Sequence, residues 1–355
     1  MSKKNYLILP YNNSLFAVAW NLRMDGNKVE VCLTRDNGLS NNDLCRQKNI
    51  MNLGIQVLKL ESLNIGKYDY LIYLETEDTD LCDKKKIDIL IHEFLKNKEK
   101  KILTMYTGSE KQRKMCKEYN KQIVVFSRNT NKVLSENTPS CPIVSIGEYG
   151  KDLDGIYTLL ELRRQFVKLG YSVLCYSDYA YSELVDVINY NYCLSGIVDS
   201  IESGINLLKG RIREDEAIYH PDIILLKLPG SIDRYNSRIT LGYGAMSYLT
   251  MKGLLPDYNI VSVLYGNYEE VGDKLVKKYR YSYDCNLDAV EISNQIIDAN
   301  AIGEDSEFIT CHINLLHCQE MIEKMQEKYP LTSYVNAFFA ESIQKLANDI
   351  INKLS

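Results

Sequence analysis

Between residues 141 and 170 the chain reads CPIVSIGEYGKDLDGIYTLLELRRQFVKLG: an apolar run, a short glycine-bearing loop, then a helical pattern. Strand, loop and helix N-terminus in that order are the parts of a phosphate cradle. Glycines let backbone N–H groups turn inward, the helix end adds partial positive charge, and a lysine meets the terminal phosphates. Gly147, Tyr149, Gly150, Lys151 and Asp152 are therefore candidate ligand-binding residues, and a nucleotide or phosphate anion is the ligand class such a loop takes. Two positions speak against hydrolysis. Asp152 stands where a hydroxyl would ligate Mg²⁺, and Ser145 stands where the first glycine of the eight-residue form belongs. A carboxylate at Asp152 repels phosphate, although it caps a helix well, and glycines also suit an ordinary βαβ turn.

A second run, Asp222-Ile-Ile-Leu-Leu-Lys227-Leu-Pro229-Gly230, resembles the second strand of P-loop ATPases of the plasmid-partition, septum-site and dethiobiotin-synthetase type. Those strands end in an Asp and a Pro-Gly turn; here Lys227 takes the acidic position. With Ile260–Leu264 as the next strand, the C-terminal half is similar in order and spacing to a P-loop NTPase whose two Mg²⁺-handling positions are replaced. The resemblance implies anion or nucleotide binding at the loop and Lys227 without efficient turnover, since phosphoryl transfer depends on the metal and on positioning. A Lys227–Asp152 salt bridge filling the metal's place is the expected arrangement. The alternative is an ATP- or GTP-dependent enzyme acting in peptide modification, with Asp152 itself holding the metal.

The elements that must position these residues alternate along the chain. Tyr6–Leu9, Val29–Leu33, Ile55–Leu58, Tyr70–Leu74, Ile102–Met105 and Ile123–Phe126 read as strands, with helices over Ser14–Asp25, Lys84–Lys98 and Ser109–Tyr119. The polar, turn-rich stretch Ser127–Ser140 is a boundary, and a second αβ series follows. Its strands are Pro142–Ile146, Ser172–Tyr176, Asp222–Leu228 and Ile260–Tyr265; its helices are Leu153–Leu169, material up to Glu216, and Ser333–Leu354. Alternation of this kind predicts parallel sheets. The expected fold is α/β, two doubly wound, mostly parallel αβα units: a Rossmann- or flavodoxin-like domain over 1–135 and a degenerate P-loop-NTPase-like domain over 136–355.

Three further constellations are weighed against plainer readings. Cys311, His312, His317 and Cys318 put metal-ligand chemistries within eight residues, but the spacing fits no standard zinc module, so buried thiols and hydrogen-bonded imidazoles are expected. Tyr279-Arg280-Tyr281-Ser282-Tyr283 alternates with period two and predicts an edge strand with a tyrosine face, suited to a peptide. Tyr176, Tyr179 and Tyr181 fall at the end of a predicted strand, on the sheet edge where ligands bind. Gly242-Tyr243-Gly244 resembles a dinucleotide fingerprint only superficially, because no clear strand precedes it.

Lys+Arg 42 against Asp+Glu 47 leaves a net charge of −5, unclustered along the sequence, which argues against a dedicated nucleic-acid binder. No run reaches the roughly 18 apolar residues of a membrane span, and Tyr6–Pro10 is too short for a signal-peptide core of about 7–15 residues. The reading is cytoplasmic, with free thiols, and a composition heavy in Asn, Ile, Lys and Tyr suggests a bacterial, AT-rich genome. The chain as a whole resembles the peptide maturation system proteins found beside radical SAM maturases in clostridial-type clusters for Cys-rich ribosomal peptides. The segments carrying the likeness are PIVSIGEYGKDLDGIYTLLELRRQFVKLGYSV, HPDIILLKLPGSI, LGYGAMSYLTMKGLLPDYNIVSVLYGN and, less specifically, the N-terminal half. The resemblance implies an accessory role in natural-product peptide (RiPP) biosynthesis, with the precursor peptide or the radical SAM maturase as partner. It supplies no catalytic residue set, and it leaves a homodimer open.

Overall fold

The computed structural model describes residues 3–34, 42–74, 81–105, 110–126, 134–195, 200–266, 268–297 and 309–354. Of the boundary stretch, residues 127–133 lie outside the described residues. The chain divides into two compact units, 1–129 with 183–185, and 130–182 with 186–355.

The first unit is built on β1 (Asn5–Leu9), β2 (Lys28–Leu33), β3 (Gln56–Lys59), β4 (Tyr70–Tyr73), β5 (Lys101–Met105) and β6 (Ile123–Phe126). Helices α1 (Phe16–Met24), α2 (Leu81–Leu95) and α3 (Glu110–Glu118) connect them. The sheet is parallel, in the order β3-β2-β1-β4-β5-β6. That is the strand order of the Rossmann arrangement. β1 runs into Pro10-Tyr11-Asn12, however, so the glycine turn that brings backbone to a pyrophosphate is missing where the fold would place it. The apolar stripe of α2 behaves as its spacing predicts: Ile87, Ile91, Phe94 and Leu95 are buried against Leu7, Leu71 and Ile102.

The second unit has β7 (Ile143–Tyr149), α4 (Gly155–Lys168), β8 (Val173–Ser177), β9 (Ile188–Asn189), α5 (Asn191–Ser195), α6 (Ile201–Tyr219), β10 (Ile223–Ser231), α7 (Ala245–Leu254), β11 (Tyr258–Val263) and α8 (Tyr268–Lys278). It continues with β12 (Ala289–Ile292), an antiparallel pair β13 (Gln295–Ile297) and β14 (Thr310–His312), α9 (Leu315–Lys328), β15 (Ser333–Val335) and α10 (Ala340–Leu354). Its seven-stranded sheet is parallel throughout, in the order β15-β12-β11-β7-β10-β8-β9. β7 sits at the centre and is buried along its whole length.

From β7 the chain crosses by α4 towards β8, and from the adjacent β10 it crosses by α7 towards β11, the opposite way. Right-handed crossovers therefore put α4 and α7 on opposite faces. The seam between β7 and β10 is the topological switch point, where open α/β sheets bind ligands at their strand C-termini.

Three expectations are corrected by this architecture. β7 continues through Gly147, Glu148 and Tyr149, so the loop is Gly150–Asp154 and not Gly147–Asp152. Tyr279–Tyr283 is no edge strand: it prolongs α8 as a wide helical turn, in which Tyr279 and Tyr283 continue the face of Leu275 into the core. Their spacing of four was the stronger signal, because Leu275 precedes them at the same interval. The C-terminal run is not one helix, since Ser333–Val335 pairs with β12 before α10 begins.

Candidate functional site

β7 brings Glu148 to the switch point, and this residue organises the site. Its Oε1 accepts the backbone N–H of Gly155 at 3.0 Å, the first residue of α4. The helix N-terminus, where a phosphate would sit, is thus filled by a carboxylate of the protein itself. Gly155 makes the approach possible, since a Cβ there would lie 2.7 Å from the same oxygen. On the other side, Glu148 Oε2 lies 3.5 Å from Lys227 Nζ.

Lys227 projects from β10 and is 9% exposed. Its ammonium donates to Asp178 Oδ1 at 2.9 Å and to its neighbour's carbonyl, Leu228 O, at 3.4 Å. Asp178 follows β8 and also accepts the Gly230 N–H through Oδ2 at 3.1 Å, so the expected Pro-Gly turn, which is instead an irregularity within β10, is held by the same carboxylate. Burial opposes the charge on Lys227, but Asp178 and Glu148 outweigh it and hold the ammonium pKa above the usual lysine value. For Glu148, burial dominates and raises the carboxyl pKa against the pull of Lys227. The expected internal salt bridge therefore exists with different partners. Asp178 and Glu148 take the role assigned to Asp152, which is exposed in a left-handed conformation (φ 54°) and reaches Lys227 only as a lesser, through-space charge.

The polar row continues across the sheet. Register places Glu148 beside Ser262 of β11, and Ser262 beside Glu291 of β12. Glu291 is fully buried; Asn336 Nδ2 lies 3.4 Å from its Oε1 and donates to Ile292 O at 2.7 Å. Asp154, at the entry to α4, accepts the Ser293 hydroxyl at 2.5 Å. Burial first, and the neighbouring Asp154 carboxylate second, raise the Glu291 pKa well above the ordinary glutamate value. Burial thus favours the protonated form of both glutamates in this row, Glu148 and Glu291.

The remaining sequence candidates fall in several places. Gly147 is a close-packing residue of β7: a Cβ would meet Ile232 Cγ2 at 2.6 Å. Tyr149 is buried, with its hydroxyl donating to Tyr235 O at 3.4 Å and accepting from Lys274 at 3.1 Å. Gly150 donates its N–H to Ser231 Oγ at 3.2 Å, tying the loop to the end of β10. Lys151 is exposed, four residues ahead of the first residue of α4, so Asp154-Gly155-Ile156 occupies the helix entry where a phosphate-binding lysine would belong. Tyr176 is buried with its hydroxyl on Asp215 at 2.8 Å, and the ligand-edge residue in that segment is Asp178.

Of the metal candidates, Cys311 and His312 lie on β14, and His317 and Cys318 on α9. Cys311 is exposed and Cys318 buried, the His312 ring is 3.3 Å from Asn294 Oδ1, and His317 is 3.9 Å from Glu320. Among the described residues no group of three or more His, Cys, Asp or Glu side chains is placed to hold a metal. The described cysteines are free.

Glu148, Asp154, Asp178 and Glu291 are the site residues that sequence reasoning passed over. Their signal was present. Glu148 and Glu291 each interrupt an otherwise apolar strand pattern, IVSIGEY and AVEI, and a buried acid needs a partner or a proton.

No family model matches the chain, and no curated protein matches it. Among solved structures it is similar to a DUF1611 family protein from Anabaena variabilis, with a TM-score of 0.57 over 98% of this chain and 100% of that one. The fold is shared. At 11% identity the likeness shows the architecture, an α/β protein with two largely parallel sheets, and nothing about its chemistry. Among the described residues no helix is long and apolar enough to cross a membrane.

Proposed function

We propose that this protein is a non-hydrolytic accessory protein of ribosomal peptide maturation, acting in the cytoplasm on a precursor peptide, its radical SAM maturase, or both. The observation that carries the non-hydrolytic part is Glu148, whose carboxylate accepts the N–H at the head of α4 while Lys227 is sealed between Glu148 and Asp178. Phosphate and Mg²⁺ would both have to displace that cluster. A phosphate would also meet Asp154 and Glu291 nearby. The pathway assignment is supported by the ordered segments at residues 142–173, 220–232 and 241–267, which resemble the peptide maturation system proteins. A P-loop-like unit relieved of turnover is suited to holding partners, because its fold and surface remain when its phosphate site closes.

The test is co-purification. A tagged full-length chain, expressed with a radical SAM maturase and a short Cys-rich precursor of the kind the resemblance implies, is expected to retain at least one of them through a salt wash. Recovery of the chain alone, with both candidates expressed and soluble, would reject the accessory reading.

A further inference from the structure

The loop after β10, the turn before α7 and the end of α8 are stitched into one surface. Asp233 pairs with Lys274 at 3.5 Å and with Lys278 at 3.3 Å, and the Tyr283 hydroxyl donates to Ile232 O at 2.9 Å. Tyr248 of α7 lies with its ring 5.9 Å from that of Tyr283, and Lys278 Nζ sits 5.7 Å from the Tyr283 ring centre. The tyrosines around this framework face outward: Tyr243 is 63% exposed, Tyr248 41% and Tyr281 76%.

The turn that presents Tyr243 is strained. Leu241, Gly242, Tyr243 and Gly244 follow one another with φ of 45°, 65°, 56° and 70°, one full left-handed turn. For the two non-glycine residues this conformation costs roughly 1–2 kcal/mol each. Gly244 locks it in place, since a Cβ there would lie 2.2 Å from the Ile232 carbonyl oxygen. Strain of this kind persists where the surroundings over-determine it, and it clusters at ligand clamps.

Charge indicates the occupant. Arg234, Lys277 and Arg280 are exposed, and among the described residues no ion pair engages their side chains. Asp233, the acid at the centre, is already neutralised by two lysines. This cationic, aromatic surface stands on a chain whose net charge is −5. Tyrosine supplies large, rigid contact area at low entropic cost, and arginine pairs with carboxylates through two parallel bonds.

Resting on the accessory reading above, we propose that this face binds an acidic, extended peptide segment, with Tyr243, Tyr248 and Tyr281 against its apolar side chains and Arg234, Lys277 and Arg280 on its carboxylates. Single-stranded nucleic acid also uses tyrosine and arginine. It is the weaker match, because exposed Asp273 and Asp284 interrupt the cations.

Fluorescence anisotropy of the full-length chain tests this with three labelled probes: a synthetic peptide of alternating glutamate and leucine, its lysine-for-glutamate counterpart, and an oligo(dT). The glutamate peptide is expected to bind, to weaken with added salt, and to bind about tenfold less tightly to Tyr243→Ser/Tyr248→Ser and to Arg234→Glu/Arg280→Glu (~1.4 kcal/mol). Unchanged melting curves for these surface variants exclude misfolding as the cause. Failure of the glutamate peptide to bind, equal binding to both double variants, or tighter binding of either other probe overturns the proposal. If wild-type protein still co-purifies with a cluster partner while the acidic peptide ignores this face, the surface assignment fails and the accessory reading stands.

Discussion

Lys227→Met is expected to destabilise the C-terminal unit by about 3–5 kcal/mol, the range for removing one partner of a buried ion cluster. Methionine matches the lysine stem in volume, so the loss measures charge and not a cavity. Without the ammonium, Glu148 from β7 and Asp178 from the end of β8 flank β10 with, among the described residues, Gly155 N–H and Gly230 N–H as their hydrogen-bond donors. For a unit of this size about 2–4 °C of melting temperature corresponds to each kcal/mol, so a fall of roughly 6–20 °C should be seen by circular dichroism. Adding Glu148→Gln should recover part of it, because Asp178 keeps some access to water and Glu148 does not. A Lys227→Met protein as stable as the parent would mean the cluster is not closed as described.

The second large effect is in pH dependence. Glu291 has its folded-state pKa raised by burial and by Asp154. A carboxyl of this kind binds its proton more tightly folded than unfolded. Its contribution is therefore fully present below the unfolded value of about 4.5 and is lost as pH rises towards the folded pKa. Glu291→Gln should consequently melt several degrees higher than the parent at neutral and mildly alkaline pH, and should match it near the unfolded pKa. Glu148, raised in the same direction, leaves a residual slope in the variant. Melting curves across this pH range decide the matter. A variant that is less stable than the parent at neutral pH would show that Glu291 is held ionised by its donors, Ser262 and the Ala337 N–H, against burial and the Asp154 and Glu148 carboxylates.

Apolar periodicity made most of the fold legible. The strands at Ile123–Phe126 and Tyr70–Tyr73 and the helix at Gly155–Lys168 fall within two residues of where their patterns place them. What periodicity could not show was where β7 ends. Gly147 looked like a loop residue because glycine is usual in loops, whereas here it clears space for Ile232 within the sheet. That three-residue extension moved Glu148 into the site and pushed Lys151 out of it. Tertiary contacts decided Tyr279–Tyr283 in the same way, since a period-two pattern and a spacing of four coexist in YRYSY and only the core selects between them. Ser333–Val335 was lost inside a longer apolar run, because a three-residue strand leaves too short a pattern to detect. Lys227 was singled out because it stands where the resemblance to P-loop strands expects an acid. Its partners could not be named, because Asp178 lies 49 residues away and meets it only through the adjacency of β8 and β10.

The central claim is that the phosphate position at the head of α4 is closed from within by Glu148 and Lys227. Steady-state phosphate release from ATP and from GTP, with Mg²⁺ and the full-length chain, tests it most directly. The account predicts release indistinguishable from a protein-free control, and no change in Lys151→Ala. Turnover on the order of 1 s⁻¹, within the range usual for enzymes, that disappears in Lys151→Ala would contradict it.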